Sequence, residues 1–239
     1  MTRTVGVLGG MGPAATLDFM AKIYAADPAE REQDRVRLVV DCDPGVLDRN
    51  AAVRGAGPSP GPDLAAMAKG LVGAGADFLV IACNTAHAWT AEIEAAARPV
   101  LSMIEAACDE IAAGHPGARR IGVLAGDGCL EAGLYQRAFA ARGWVAILPG
   151  SENQAALMAA LYRIKGGLLS ESERAAFVAC ARETIADGAQ AIVAGCTEVP
   201  LLLRPQDLDA PLIDPTQALA ERTVAWARMA PEAAQREGR

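Results

Sequence analysis

One feature constrains this chain more than any other: it repeats itself around two cysteines. Val5-Gly6-Val7-Leu8 is echoed by Ile121-Gly122-Val123-Leu124. Gly75-Ala76-Asp77-Phe78-Leu79-Val80-Ile81-Ala82-Cys83 is echoed by Gly188-Ala189-Gln190-Ala191-Ile192-Val193-Ala194-Gly195-Cys196. Both longer copies open on Gly-Ala and carry Cys eight residues after the Gly. The opening segment precedes its cysteine by 77 residues in one copy and 74 in the other, counted from Gly6 and Gly122. Two halves of one plan follow, each ending a central strand on a cysteine.

The pattern around the repeat is α/β. Thr4–Leu8, Arg37–Asp41, Phe78–Ala82, Arg120–Leu124, Val145–Leu148 and Ala191–Ala194 are near-continuous apolar runs, as parallel strands covered on both faces require. Between them, Leu17–Ala26, Asp63–Gly73, Thr85–Ala97, Gly133–Arg142 and Ser170–Asp187 read as helices. Ser170-Glu171-Ser172-Glu173 reads as a capping box for the last. Such alternation specifies parallel sheets. Arg54–Pro62, rich in Gly and Pro, reads as a mobile loop, and the last few residues should fray. Open parallel sheets bind ligands at the carboxyl ends of their strands. Two halves facing each other across a pseudo-two-fold axis would therefore place Cys83 and Cys196 on opposite sides of one small ligand.

Two thiols so placed suit inversion at an α-carbon. Racemisation needs a base on one face and an acid on the other, and a thiolate and a thiol supply both without a cofactor. A free thiol, with a pKa near ~8.5, is mostly protonated at neutral pH. A helix N-terminus promotes thiolate formation, and the helix expected from Thr85 stands directly after Cys83. Pro200, in Thr197-Glu198-Val199-Pro200, suits a helix first turn. Asn84, Thr85 and Thr197 flank the cysteines and offer donors to an α-carboxylate, although Asn84 and Thr85 serve equally as helix caps.

Other chemistries fit less well. Gly10-Met11-Gly12-Pro13-Ala14-Ala15 matches G-x-G-x-x-A, the fingerprint of a nicotinamide-dependent oxidoreductase, and its glycines permit close approach to an anion. The acidic partner of that fingerprint falls about 20 residues on, whereas Asp41 lies 31 after Gly10. Cys83 and His87 form a Cys-x3-His pair, but no second local pair completes a zinc site. With 22 Lys and Arg against 29 Asp and Glu, the net charge is -7, which speaks against nucleic acid or anionic membranes as partners. No apolar run is long enough to cross a bilayer, and Met1-Thr2-Arg3-Thr4 leads straight into the first strand without a signal-peptide layout. A cytoplasmic protein is expected, with all six cysteines reduced; Cys108 and Cys180, in Ala-rich helical stretches, read as core residues. A catalytically silent binding protein on the same frame is the remaining class, against which both thiols stand.

Taken together, Gly9-Gly10-Met11-Gly12-Pro13, Asp48-Arg49, Ala82-Cys83-Asn84-Thr85-Ala86-His87, Ile164-Lys165-Gly166 and Gly195-Cys196-Thr197-Glu198-Val199-Pro200 resemble the aspartate/glutamate racemase superfamily, and its aspartate racemase branch in particular, over nearly the whole chain. The resemblance implies two Rossmann-like domains, 1–100 plus 211–239 and 101–210, with the active site between them. It implies that Leu212-Ile213-Asp214 and the helix after Pro215 return to the first domain. It implies a homodimer, no metal and no pyridoxal cofactor. Cys83 and Cys196 match the catalytic pair, and Arg49 and Lys165 the cations that hold the substrate's distal carboxylate. Met11, Asn50, Asn84, Thr85, Thr197 and Glu198 complete the expected substrate-binding set. Glutamate racemases of the related branch carry His where this chain has Glu198, and Asn50 replaces Thr in the Pro-Asp-Arg-Thr loop, here Leu47-Asp48-Arg49-Asn50. Hydantoin racemases, maleate isomerases and arylmalonate decarboxylases share the superfamily. Decarboxylation needs one cysteine where this chain has two, and Arg49 and Lys165 favour the amino-acid branch.

Overall fold

The structure, a computed structural model, describes residues 2–229; the tail expected to fray lies outside them. The first half runs β1 (Val5–Gly9), α1 (Pro13–Ala26), β2 (Leu38–Cys42), α2 (Arg49–Val53), α3 (Gly61–Gly73), β3 (Phe78–Ile81), α4 (Thr90–Ala96), β4 (Val100–Leu101) and α5 (Met103–Gly114). The second runs β5 (Arg120–Val123), α6 (Asp127–Glu131), α7 (Leu134–Ala140), β6 (Val145–Ile147), α8 (Ser151–Lys165), α9 (Glu171–Ala186), β7 (Ala191–Val193) and β8 (Leu212–Ile213), with α10 (Pro215–Arg228) last. The strands form two four-stranded sheets, ordered β2-β1-β3-β4 and β6-β5-β7-β8. Every pairing is parallel. The expected α/β architecture is thus present, and the two sheets share one strand order.

The sequence repeat is a packing unit. Gly75 and Gly188 follow α3 and α9 with φ of 98° and 93°, the left-handed conformation that ends helices and that glycine adopts without strain. The next residues, Ala76 and Ala189, then pack beneath the central strands. A Cβ on Gly6 would stand 2.8 Å from the Ala76 Cβ, and one on Gly122 would stand 3.3 Å from the Ala189 Cβ and 2.4 Å from the Ile192 side chain. Gly-Ala before β3 and β7, and Gly within β1 and β5, are therefore two sides of one contact, made twice. β1, β3 and β7 are buried throughout. Each Val, Leu, Ile or Phe so enclosed contributes about 1.5–3 kcal/mol.

Several local expectations are corrected. The helix expected at Thr85–Ala97 is a 3-10 turn, Thr85–Trp89, followed by α4, so no regular helix begins at Cys83. Pro200 does sit in a helical first turn, but that of a short 3-10 segment, Val199–Leu201. The capping box at Ser170 does not close: Ser170 makes no side-chain cap bond, and its hydroxyl donates instead to the Glu173 carboxylate, which Arg163 also holds. Asn84 and Thr85 do not act as side-chain caps. Leu212–Ile213 does not return to the first half, because β8 pairs with β7. Only α10 crosses back, where it packs on α1 and α5 and is tied by Lys22–Asp214 at 2.6 Å and by the ion pair of Arg228 with buried Asp27. Cys108 and Cys180 are core residues as expected, and burial pushes both thiols up to about 12. No helix among the described residues is long and apolar enough to cross a membrane.

Candidate active site

The carboxyl ends of β3 and β7 face one cavity. Arg49, Asn50, Cys83, Asn84, Thr85, Lys165 and Cys196, all expected from sequence, line it; Gly126, Met158, Leu161 and Tyr162 complete the wall. The last three share one face of α8 with Lys165, at helical spacings of three, four and seven residues. Lys165 marked the face, and counting back from it would have found them had α8 been recognised. The space left is about 10 Å³, room for about one water molecule, so the cleft is closed. Both cysteines border it, at 4% and 9% exposure.

Cys196 has a defined partner. Its Sγ donates to Glu198 Oε2 at 2.9 Å. The other carboxylate oxygen, Oε1, accepts from the Gly12 N–H at 3.1 Å and lies 3.3 Å from Lys165 Nζ. Glu198 is almost wholly enclosed, so these contacts replace its hydration. Burial raises the Cys196 thiol well above its ordinary value, and the Glu198 charge adds to the rise; Cys196 is held as a thiol. Burial works to lower the Lys165 ammonium, but the Glu198 carboxylate leads the charges that more than reverse it and keep the lysine charged. Glu198 thus stands beside Cys196 as its acceptor, Thr197 donates to the same carboxylate, and neither lines the closed cavity.

Three further site residues have defined surroundings. The Met11 side chain sits in the first-half core, while its carbonyl accepts from Lys165 Nζ at 2.8 Å and Arg49 Nη2 at 3.3 Å. Asn50 spans the halves: Oδ1 accepts from the Gly128 N–H at 2.9 Å, and Nδ2 donates to the Tyr162 hydroxyl at 3.3 Å. That hydroxyl donates to Asp48 Oδ2 at 2.7 Å. Burial pushes the Asp48 carboxyl up, yet Tyr162 and the Asn50 and Ala51 N–H groups outweigh it and hold it below its ordinary value. The glycine loop serves the site from behind, since the Gly12 N–H is committed to Glu198 and a Cβ at Gly10 would collide with the Asp43 backbone at 2.3 Å. Those roles account for the glycines without a nucleotide. Arg49 Nη1 is held by the Val46 and Leu47 carbonyls, leaving its buried Nε without a partner.

His87 explains how the Cys83 turn is fixed. Its Nε2 accepts from the Met103 N–H at 3.1 Å, so Nδ1 carries the proton and donates to the Cys83 carbonyl at 2.9 Å. Both nitrogens are engaged, which leaves neither for a metal beside Cys83. Burial lowers the His87 pKa, against the three backbone contacts that raise it. Below about pH 6.5 the unfolded chain therefore takes up a proton that the folded ring refuses, and stability falls as pH drops from there towards the lower native value. Glu110, lifted to about 7 by burial, Asp214 and Glu221, acts in the opposite sense over part of that window. The expected result is that His87→Gln loses less stability than the unmodified chain between pH 7 and 5, by up to about 1.4 kcal/mol per pH unit. Urea unfolding at several pH values measures it, and parallel pH profiles would contradict it.

Comparisons with known proteins bear on the family and the fold. A family model described as Asp/Glu/Hydantoin racemase matches residues 8–223. A broad-specificity amino-acid racemase of Bacillus subtilis (strain 168) is 27% identical over 237 residues, covering 92% of this chain and 96% of the relative. The structure of Picrophilus torridus aspartate racemase superposes with a TM-score of 0.79 at 28% identity, covering 96% of this chain and 97% of that one. An aspartate racemase homologue from Pyrococcus horikoshii OT3 shares the fold, with a TM-score of 0.75 at 21% identity over 96% of this chain and 100% of that one.

Proposed function

This chain belongs to the Asp/Glu/hydantoin racemase family, and on that premise we propose that it inverts the α-carbon of an acidic amino acid, aspartate first, by proton exchange between Cys83 and Cys196. The observation that carries the reading is that both thiols, ending matched strands of two sheets, line one cavity. A pseudo-two-fold relation of the halves would set them on opposite faces of the substrate. The thiolate on one side removes the α-proton, and the electron pair moves into the α-carboxylate. The thiol on the other side then delivers its proton to the far face of the carbon. The product leaves the two sulfurs with exchanged protonation, and the opposite enantiomer runs the same steps backwards. Since Glu198 holds Cys196 protonated, Cys196 is the donor in the resting enzyme and Cys83 the base.

Arg49 and Lys165 support an acidic substrate. Both cations stand on the cavity wall, where they can offset the carboxylates that such a substrate brings. Met158 and Leu161 on the same wall favour a second reading, in which neutral side chains are also accepted; the Bacillus subtilis relative is named a broad-specificity amino-acid racemase. Access in either case requires the halves to part at Asn50–Gly128, Asp48–Tyr162 and Arg54–Asp127, the last 3.4 Å apart. A cytoplasmic homodimer completes the proposal.

A panel of L- and D-amino acids incubated in D2O tests it. Deuterium should enter the α-position of aspartate with loss of optical rotation. Arg49→Ala should reduce kcat/KM for acidic substrates by about tenfold more than for neutral ones, the weight of one charge-assisted hydrogen bond. Absence of exchange with every amino acid would end the racemase reading, and equal losses would remove Arg49 from side-chain recognition.

A further inference from the structure

Tyr135, on α7 of the second half, has no place in the steps above. It is fully enclosed, and its hydroxyl donates to Oδ1 of Asn84, in the first half, at 2.6 Å. The Asn84 side chain borders the cavity and is 2% exposed, yet its Nδ2 is buried without a hydrogen-bond partner. A buried donor left unpaired is costly, so this amide is set for an acceptor that arrives with the ligand.

We infer that Tyr135 is a positioning residue that turns the Asn84 amide so that its N–H groups, and not its oxygen, face the α-carboxylate of the substrate. The torsion at the end of an Asn side chain is broad and roughly two-fold, so Asn84 itself does not choose. Tyr135 chooses for it. A phenol carries one proton that must find an acceptor, and burial keeps that proton on the oxygen by raising the hydroxyl well above its ordinary value. With Oδ1 towards Tyr135, the phenol proton is accepted and both amide hydrogens are free for the cavity. Reversed, the amide would strand the phenol proton and offer an oxygen to an anion. Asn84 adjoins Cys83, so its donors lie beside the carboxylate of the carbon being inverted, where charge collects as the proton leaves. Because the hydroxyl comes from the other half, the amide is aimed only while the halves are together.

This inference rests on the racemase reading, and a double-mutant cycle separates the two. Tyr135→Phe keeps the ring and its packing against Phe139. It should lower kcat/KM for α-hydrogen exchange by about tenfold, the usual weight of a hydrogen bond to a charged group. Asn84→Ala should lower it at least as far, and adding Tyr135→Phe to Asn84→Ala should change nothing more. A role for Tyr135 in packing alone would persist when Asn84 is gone. Unchanged kcat/KM in Tyr135→Phe, or a further tenfold loss in the double variant, overturns the inference while the racemase reading stands. Exchange by the unmodified chain with no amino acid overturns both.

Discussion

Cys83→Ser and Cys196→Ser should each lower racemisation by about a thousandfold or more, the scale of a positioned acid or base, while leaving the fold intact. Serine has nearly the shape of cysteine, and a hydroxyl at position 196 can still donate to Glu198 as the Cys196 thiol does at 2.9 Å. What changes is acidity, since a hydroxyl neither ionises near neutral pH nor gives up its proton readily to a carbanion. The two variants should also differ from a merely weakened enzyme in their stereochemistry. With one sulfur left, a proton can leave and return on that sulfur's face, but none arrives from the other. Residual deuterium uptake should therefore proceed with retention of configuration, and each variant should keep it for one enantiomer only. Chiral chromatography coupled to mass spectrometry reads both quantities at once. Full racemase activity in either variant removes that cysteine from the mechanism, and equal slow inversion of both enantiomers by both variants would argue for a single residue serving both faces.

The cysteine pair was legible because its signal is local and doubled. Gly75-Ala76 and Gly188-Ala189 end helices and seat strands in the same way, and that packing keeps the two segments alike around Cys83 and Cys196. The main strands were legible because they are buried on both faces. What escaped depends on contacts distant in sequence. β8 is two residues long, too short for a periodicity, and its side of the cleft is decided by pairing with β7. The turn after Cys83 is 3-10 because His87 must reach back to the Cys83 carbonyl and forward to Met103, a constraint that composition cannot express. Met158, Leu161 and Tyr162 look like ordinary helix residues until the fold lays α8 along the cleft. Glu198, expected beside the substrate, accepts from the Cys196 thiol and does not line the closed cavity, a contact that the sequence order Cys196-Thr197-Glu198 does not express.

Lys165→Met should destabilise the fold by about 2–3 kcal/mol as well as abolish activity. Removing one member of a buried ion pair typically costs 3–5 kcal/mol, because the other charge stays enclosed and unpaired. Glu198 meets that condition at 1% side-chain exposure, but Lys165 keeps 21%, and this partial access to water sets the lower figure. The Gly12 N–H and the Cys196 thiol remain to solvate the carboxylate, which also moderates the loss. Glu198→Gln should cost less than Lys165→Met, because the lysine it leaves can still donate to the Met11 carbonyl and reach solvent. The double variant, Lys165→Met with Glu198→Gln, should then be more stable than Lys165→Met alone, since the second change removes the stranded charge. Urea unfolding of the four proteins, compared at constant slope, measures the coupling. A double variant less stable than Lys165→Met would mean that Glu198 does not depend on Lys165 for its charge, and the account of Cys196 as a thiol held by an ion-paired carboxylate would fall with it.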